Sequence, residues 1–226
     1  MKIIITGATG FVGREVVVQA IENPRISYII VLTRRNIDET LSQSPKVEVV
    51  FGKVGPKITL CLCQVEGLTP AGVPRCLGGK VEDFPDLQTA RTVGVDFTLA
   101  AANALVRGVC PTLPPEQRLR FVFCSGNGAE WHQDRKLWLF SDTRKLKGAA
   151  EQGLLDMANT HPDVFEVIVI RPGGVVRDES IFLGKIASLM TPVVIVTRLA
   201  KALVRFCIDP PPEKVVENQQ ILDLGS

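Results

Sequence analysis

The sequence predicts an α/β fold, a doubly wound and mostly parallel sheet with helices on both faces. Three observations carry that prediction. Short β-branched or aromatic runs alternate with longer helical patterns along most of the chain. The chain opens on such a run, Ile3-Ile4-Ile5, and passes at once into Gly7, Gly10 and Gly13 and then a helical stretch. Later apolar runs, 120–124 and 165–170, end directly on Ser, Gly or Pro, as strands do when their carboxyl ends open into loops.

The opening stretch sets the rest. Consecutive rather than alternating β-branched residues describe a strand buried on both faces. The turn TGATGFVG, at 6–13, spaces its glycines as G-x-x-G-x-x-G. Gly7 turns the chain off the strand, Gly10 lets backbone approach a pyrophosphate, and Gly13 lets the helix lie close on the sheet. The amides around Thr9, Phe11 and Val12 then face an anion with the positive end of the helix dipole. These residues are the candidate dinucleotide contacts.

The first helix, 12–22, stops at Asn23-Pro24. A second strand follows at 26–32. About 20 residues past the glycines a dinucleotide fold places an acidic residue for the ribose hydroxyls. Thr33, Arg34 and Arg35 stand there instead. Two guanidiniums suit a 2′-phosphate, so the cofactor expected is NADP(H). A short helix is expected within 36–44 and a third strand at 47–51.

Residues 52–75 are the least legible. Turn residues crowd together and no helical period is visible. The fourth strand has two candidates: 58–63, or a strand ending at Cys76-Leu77-Gly78-Gly79. In the second case Leu77 and Gly78 would lie against the ribose or nicotinamide half. A retained non-coding insertion would give the same crowding of turn residues.

Helical periodicity returns at 84–109, where Ala90, Val93, Val95, Leu99, Ala102 and Val106 share a face and Gly108 ends it. A Pro-rich loop, 110–117, leads to the fifth strand, 120–124, and then to Ser125-Gly126-Asn127-Gly128. An irregular segment, 129–142, carries Trp131, His132 and Trp138. A helix follows at 143–159. The sixth strand, 165–170, ends on Arg171-Pro172-Gly173-Gly174, making Pro172 and Gly173 further candidate contacts. The tail predicts helices at 180–190 and 198–207, a break at 210–212 and a short last strand at 220–224. The whole, 1–226, reads as one domain, with 175–226 a small substrate-side segment within it.

Composition excludes several function classes. Apolar residues make up 46% and charged residues 22%, which describes a globular chain. A net charge of +2 argues against a general nucleic-acid footprint. No uninterrupted apolar run reaches ~18 residues, so no membrane span is expected. The chain starts in a strand without a cleavable signal. Cysteines 61, 63, 76, 110, 124 and 207 show no C-x-x-C pairing, so reduced thiols in a cytoplasmic protein are expected and no metal site.

TGATGFVG, Ser125 at a strand end, Lys147-Gly148-x-x-Glu151 in the next helix and RPGG at 171–174 together resemble the atypical short-chain dehydrogenase/reductase superfamily. The resemblance is to its small NAD(P)-binding Rossmann branch, near NmrA-like and biliverdin-reductase-like proteins. It spans most of the chain outside 52–75. The wording of FVFCSGNGAEW and SDTRKLKG is similar to fungal members, some of which accompany secondary metabolism.

In that superfamily a tyrosine four residues before the lysine is the general acid, and the lysine holds the nicotinamide ribose. Lys147 fits the lysine, but Thr143 stands where the tyrosine should be. A phenol starts near pKa ~10, whereas an aliphatic hydroxyl is far less acidic and threonine is shorter. Ser141 and Lys145 form a competing register, disfavoured by Gly148 and Glu151. Tyr28, the one tyrosine, falls in the second strand. Ser125 would hydrogen-bond the substrate oxygen. The proton would come from solvent, substrate or Ser125, or from His132, whose imidazole titrates near neutrality. His161 reads as a structural turn residue. Trp131 and Trp138 would either wall a pocket or pack under the loop. The resemblance implies reduction of a carbonyl or activated double bond of a small molecule. Its rivals are an NADP(H)-binding sensor and a non-redox isomerase or cyclase on the same fold.

Overall fold

A computed structural model describes residues 1–52, 70–76, 81–177 and 193–224. Seven parallel strands form the main sheet in the order β3-β2-β1-β4-β5-β6-β9. They are β1 Lys2–Thr6, β2 Tyr28–Thr33, β3 Val47–Phe51, β4 Pro70–Arg75, β5 Leu119–Cys124, β6 Phe165–Arg171 and β9 Val215–Glu217. β7, Gly174–Val176, and β8, Val193–Ile195, pair separately beside it. The order reverses between β1 and β4, so a crevice opens there outside the strands' carboxyl ends. The α/β doubly wound prediction therefore holds.

Helices cover both faces. α1, Phe11–Glu22, packs beside α6, Val196–Ile208, over one face, where Ile3, Ile5, Val16, Val17, Leu199 and Leu203 are fully buried. The other face carries α4, Phe97–Gly108, and α5, Ser141–Thr160, over Ile4, Val73, Phe121 and Val167. Burying each isoleucine of β1 contributes about 1.5–3 kcal/mol relative to exposure, so this strand anchors both layers.

Several elements depart from the sequence reading. The second strand starts at Tyr28 rather than 26, because Ile26 turns in on Asn23. The helix expected within 36–44 is the single turn α2, Glu39–Ser42, which Asp38 caps through Thr40. The helix read as continuous over 84–109 is broken. A 3₁₀ turn, Val81–Asp83, precedes α3, Leu87–Arg91, and a π turn, Thr92–Asp96, joins α3 to α4. The last strand is misplaced in the sequence reading: β9 is Val215–Glu217, and 220–224 falls mostly in α7, Asn218–Asp223. Gln220 supplies the capping box that starts α7, accepting from the Glu217 amide, so local capping sets this short apolar segment as helix.

The fourth strand follows the second of the two candidates, the one ending at Cys76. It is β4, which the crowded turn residues concealed, and it ends one residue before Cys76. β1 and β5 pair with it on either side, with a register shift at its start. The alternative at 58–63, the helix at 180–190, and Leu77 and Gly78 lie outside the described residues. The helical run Leu87–Thr112 is long and apolar enough to cross a membrane by length and composition alone, and half of it is buried within the fold.

Candidate functional site

The crevice at the reversal point is a cavity of about 210 Å³. Its walls bring together Val12, Ser125, Thr143, Lys147, Pro172 and Gly173, all singled out from sequence. Val81, Phe84, Ala90, Leu146 and Val175 add an apolar lining.

The glycine turn adjoins the cavity through Val12. Gly7 has φ of +82°, and its carbonyl accepts the Gly10 amide at 2.9 Å. A Cβ on Gly13 would lie 2.0 Å from the Gly7 oxygen, so no larger residue fits. Gly13 is thus required by the turn itself, a closer constraint than helix-on-sheet packing. No side chain caps α1 at Gly10 and no acid stands in its first turn, leaving the helix start open to an anion. Thr9 and Phe11 are exposed at its lip, with the Arg177 guanidinium 5.6 Å from the Phe11 ring centre. A cradle closed to any side chain and free of negative charge fits a dinucleotide pyrophosphate.

Arg34 and Arg35 are exposed just past β2 and do not line the cavity. The nearest carboxylate in that loop, Asp38, is bound by Arg14 at 2.7 Å and by Thr40. Those bonds hold its pKa down to about 2. The two arginines therefore face solvent beyond the carboxyl end of β2, without a described acid of their own.

The chemistry-bearing end is built by β5, α5 and β6. Gly148 seats α5: a Cβ there would fall 1.9 Å from the Glu130 carbonyl oxygen. That contact fixes the register. Thr143 and Lys147 reach the cavity, whereas Ser141 and Lys145 do not. Lys147 Nζ donates to the Ser125 carbonyl at 2.7 Å. Gly126 leaves room for it, since a Cβ there would stand 2.9 Å from Nζ. Burial pushes the Lys147 ammonium below its ordinary pKa, opposed by Cys124 and Glu151. Thr143 Oγ1 accepts the Val81 amide at 2.8 Å, so its own proton is free to point elsewhere.

Ser125 differs from expectation. Its hydroxyl donates to Glu151 Oε1 at 2.5 Å, inside the wall rather than toward the cavity. Glu151 is fully buried and also accepts from Trp131 Nε1 at 2.6 Å and from Arg171 Nε and Nη2. Trp131 is itself exposed and outside the cavity lining, tied down by Glu151 with Arg171 5.5 Å from its ring centre, while Trp138 is fully exposed. His132 is exposed and lies outside the cavity wall. His161 ends α5, its amide bonded to the Met157 carbonyl, and Tyr28 donates to Glu48 at the far end of the sheet.

Sequence reading missed the apolar wall. Its signal was Gly94, an interruption within a helical pattern. The π turn brings Gly94 to the cavity, where a Cβ would meet nothing within 4 Å. Cys76 and Cys124 also line the cavity as free thiols, and burial raises both above the usual thiol pKa. No group of three or more His, Cys, Asp or Glu side chains suits a metal among the described residues.

No family model and no curated protein matches this chain. Solved structures do. A short-chain dehydrogenase/reductase of Saccharomyces cerevisiae superposes with a TM-score of 0.74 at 12% identity, covering 98% of both chains. The dTDP-glucose 4,6-dehydratase of Bacillus anthracis, solved with NAD, gives 0.69 at 13% identity over 99% of this chain and 81% of that one. Vestitone reductase from alfalfa gives 0.66 at 17% identity over 96% and 75%. At these identities the likeness is one of fold.

Proposed function

We propose that this protein is a nicotinamide-dependent oxidoreductase of the short-chain dehydrogenase/reductase type. It prefers NADP(H) and reduces a carbonyl or an activated double bond of a small, uncharged molecule. The observation that carries the reading is convergence. One crevice at the strand-order reversal joins Val12, next to the glycine turn at the start of α1, with Lys147 and an apolar wall. Neighbours in fold include enzymes solved with NAD, which supports a nicotinamide cofactor.

The cofactor supplies the hydride, and the chain supplies position and polarity. Gly7, Gly10 and Gly13 with the amides of Phe11 and Val12 hold the pyrophosphate. Arg34 and Arg35 take the 2′-phosphate, and Lys147 holds the nicotinamide ribose. Val81, Phe84 and Leu146 exclude water and orient an apolar substrate. Glu151 fixes Ser125 and Arg171, so the walls are set before substrate enters. The protein works in the cytoplasm.

NADPH titration tests this reading, followed by NADPH consumption across a panel of aldehydes, ketones and enones. Arg34→Ala with Arg35→Ala should weaken NADPH by ~10-fold or more and leave NADH nearly unchanged, since a lost charge-assisted pair is worth ~1.5–3 kcal/mol. Equal losses for both cofactors would reject the phosphate assignment. A second reading draws on Thr143 and the committed Ser125 hydroxyl: a regulatory protein that binds NADP(H) without turnover. Tight NADPH binding with no consumption across the panel would favour it.

A further inference from the structure

The cavity has to protonate the oxygen of a reduced carbonyl, and its most familiar donors are absent or occupied. Ser125 Oγ has its proton on Glu151, inside the wall. His132 is on an exposed loop outside the lining. Tyr28 is bonded to Glu48 at the opposite end of the sheet. Cys76 and Cys124 reach the cavity, but burial makes each thiol hold its proton more tightly. Thr143 is an alcohol and a poor acid, though well placed to donate a hydrogen bond.

Among the described residues Lys147 remains, and its surroundings suit an acid. Thr143 and Lys147 are four residues apart on α5, hence on one helical face, and both line the cavity. One Nζ proton is used on the Ser125 carbonyl, leaving two. The Val81 amide occupies the Thr143 oxygen, which frees the Thr143 hydroxyl proton. An oxygen placed between the two side chains can accept from both.

We propose that Lys147 is the proton donor of this site, delivering its proton to a substrate oxygen held between its ammonium and the Thr143 hydroxyl. The role rests on the reductase reading above and adds to ribose binding. As hydride arrives from NADPH on the carbonyl carbon, the π pair moves onto oxygen. An Nζ–H bond breaks while the new O–H bond forms. The neutral amine then regains a proton from water. Thr143 is a positioning residue.

The electrostatics favour transfer. Desolvation weakens the hold of Lys147 on its proton. The charged and titratable groups facing it are Cys124 at the end of β5 and Glu151 one turn on in α5. Glu151 is already bonded to Arg171, Trp131 and Ser125 and does not reach Nζ as a salt-bridge partner. Activity should therefore need Lys147 protonated and fall as pH rises through a value below the ordinary lysine range of ~10.4.

Two measurements test the proposal. The first needs no substrate: lysines are reductively methylated with ¹³C and titrated by NMR, with Lys147 assigned through Lys147→Arg. Lys147 should titrate below every other lysine; titration with the bulk would overturn the proposal. The second compares Lys147→Arg, Lys147→Met and Thr143→Val on the best panel substrate. Lys147→Arg keeps the charge but cannot release a proton, so kcat should drop ~100-fold or more, with NADPH affinity changed less than ~10-fold. It should also lose the alkaline limb. Thr143→Val should mainly raise KM while the limb stays. Retained kcat in Lys147→Arg would overturn the assignment. Failure of wild-type protein to bind NADPH would reject the reductase reading instead.

Discussion

β1 and β4 lie side by side at the centre of the sheet and reach that position by opposite routes. β1 is held by its own composition. Its isoleucines are fully buried, and the turn that follows fits glycine alone at Gly13. β4 is held by its neighbours. Pro70 and Pro74 cannot donate to the ladder, Gly72 contributes no side chain, and Arg75 is a fully buried cation. Arg75 Nε and Nη2 both donate to Thr98 Oγ1, and Nη1 has no hydrogen-bond partner among the described residues. Gly72 has its own reason: a Cβ would stand 2.5 Å from Cys207 Cβ in α6. The pair shows that a central strand position can be imposed from both flanks on a segment with little preference for it.

The sharpest way to break the comparison is Gly13→Ala. If β1 and its turn are rigidly specified, the new methyl cannot be absorbed against the Gly7 carbonyl. Urea unfolding should show a loss of about 3 kcal/mol or more, and NADPH affinity should fall at least ~100-fold. A stable variant that still binds NADPH would mean that the turn yields. Arg75→Leu probes the other strand with the opposite sign. Exchanging a buried cation that meets no acid among the described residues for an apolar side chain should stabilise by about 1–4 kcal/mol, read as a higher urea midpoint at unchanged slope. A lower midpoint would show that the guanidinium contributes favourably where it lies.

The same contrast explains what could be read in advance. β1, β2, β3 and β6 announce themselves through β-branched runs, β5 through Phe121, Val122 and Phe123, and the Gly7–Gly13 spacing announces the turn. β4 could not be found that way, because proline and glycine at 70, 72 and 74 spell a loop while the pairing that overrides them comes from β1 and β5. The helix at 84–109 was read as one piece because its apolar period survives the π turn at Thr92–Asp96. Lys147 was legible from Gly148 and Glu151, for Gly148 contacts Glu130 and fixes the helix register. The occupation of Ser125 was not, since Glu151, Trp131 and Arg171 meet only through tertiary structure.

The smallest expected effect concerns the loop after β2. Asp38 is tied to Thr40 and Arg14, and its folded pKa of about 2 lies below the unfolded value of 3.8. Its stabilising contribution is present above the unfolded pKa and is lost as pH falls through the folded one. Asp38→Asn should therefore lower Tm slightly at neutral pH and flatten the decline between pH 4 and 2. The pair is exposed, so the shift should be small and shrink in salt. A variant with an unchanged acid limb would remove Asp38 from the account of this loop.

The four hydrogen bonds that converge on Glu151 have a consequence in time. They join the end of β5, the loop at Trp131, the middle of α5 and the end of β6. The glycine turn is short in sequence, yet α1 packs chiefly on α6, Val196–Ile208, so its seat also waits for the last third of the chain. The Glu151 junction must wait for Arg171, and loop closure over such separations is slow. Both walls of this site are therefore late to form, since each needs residues beyond 170 in place.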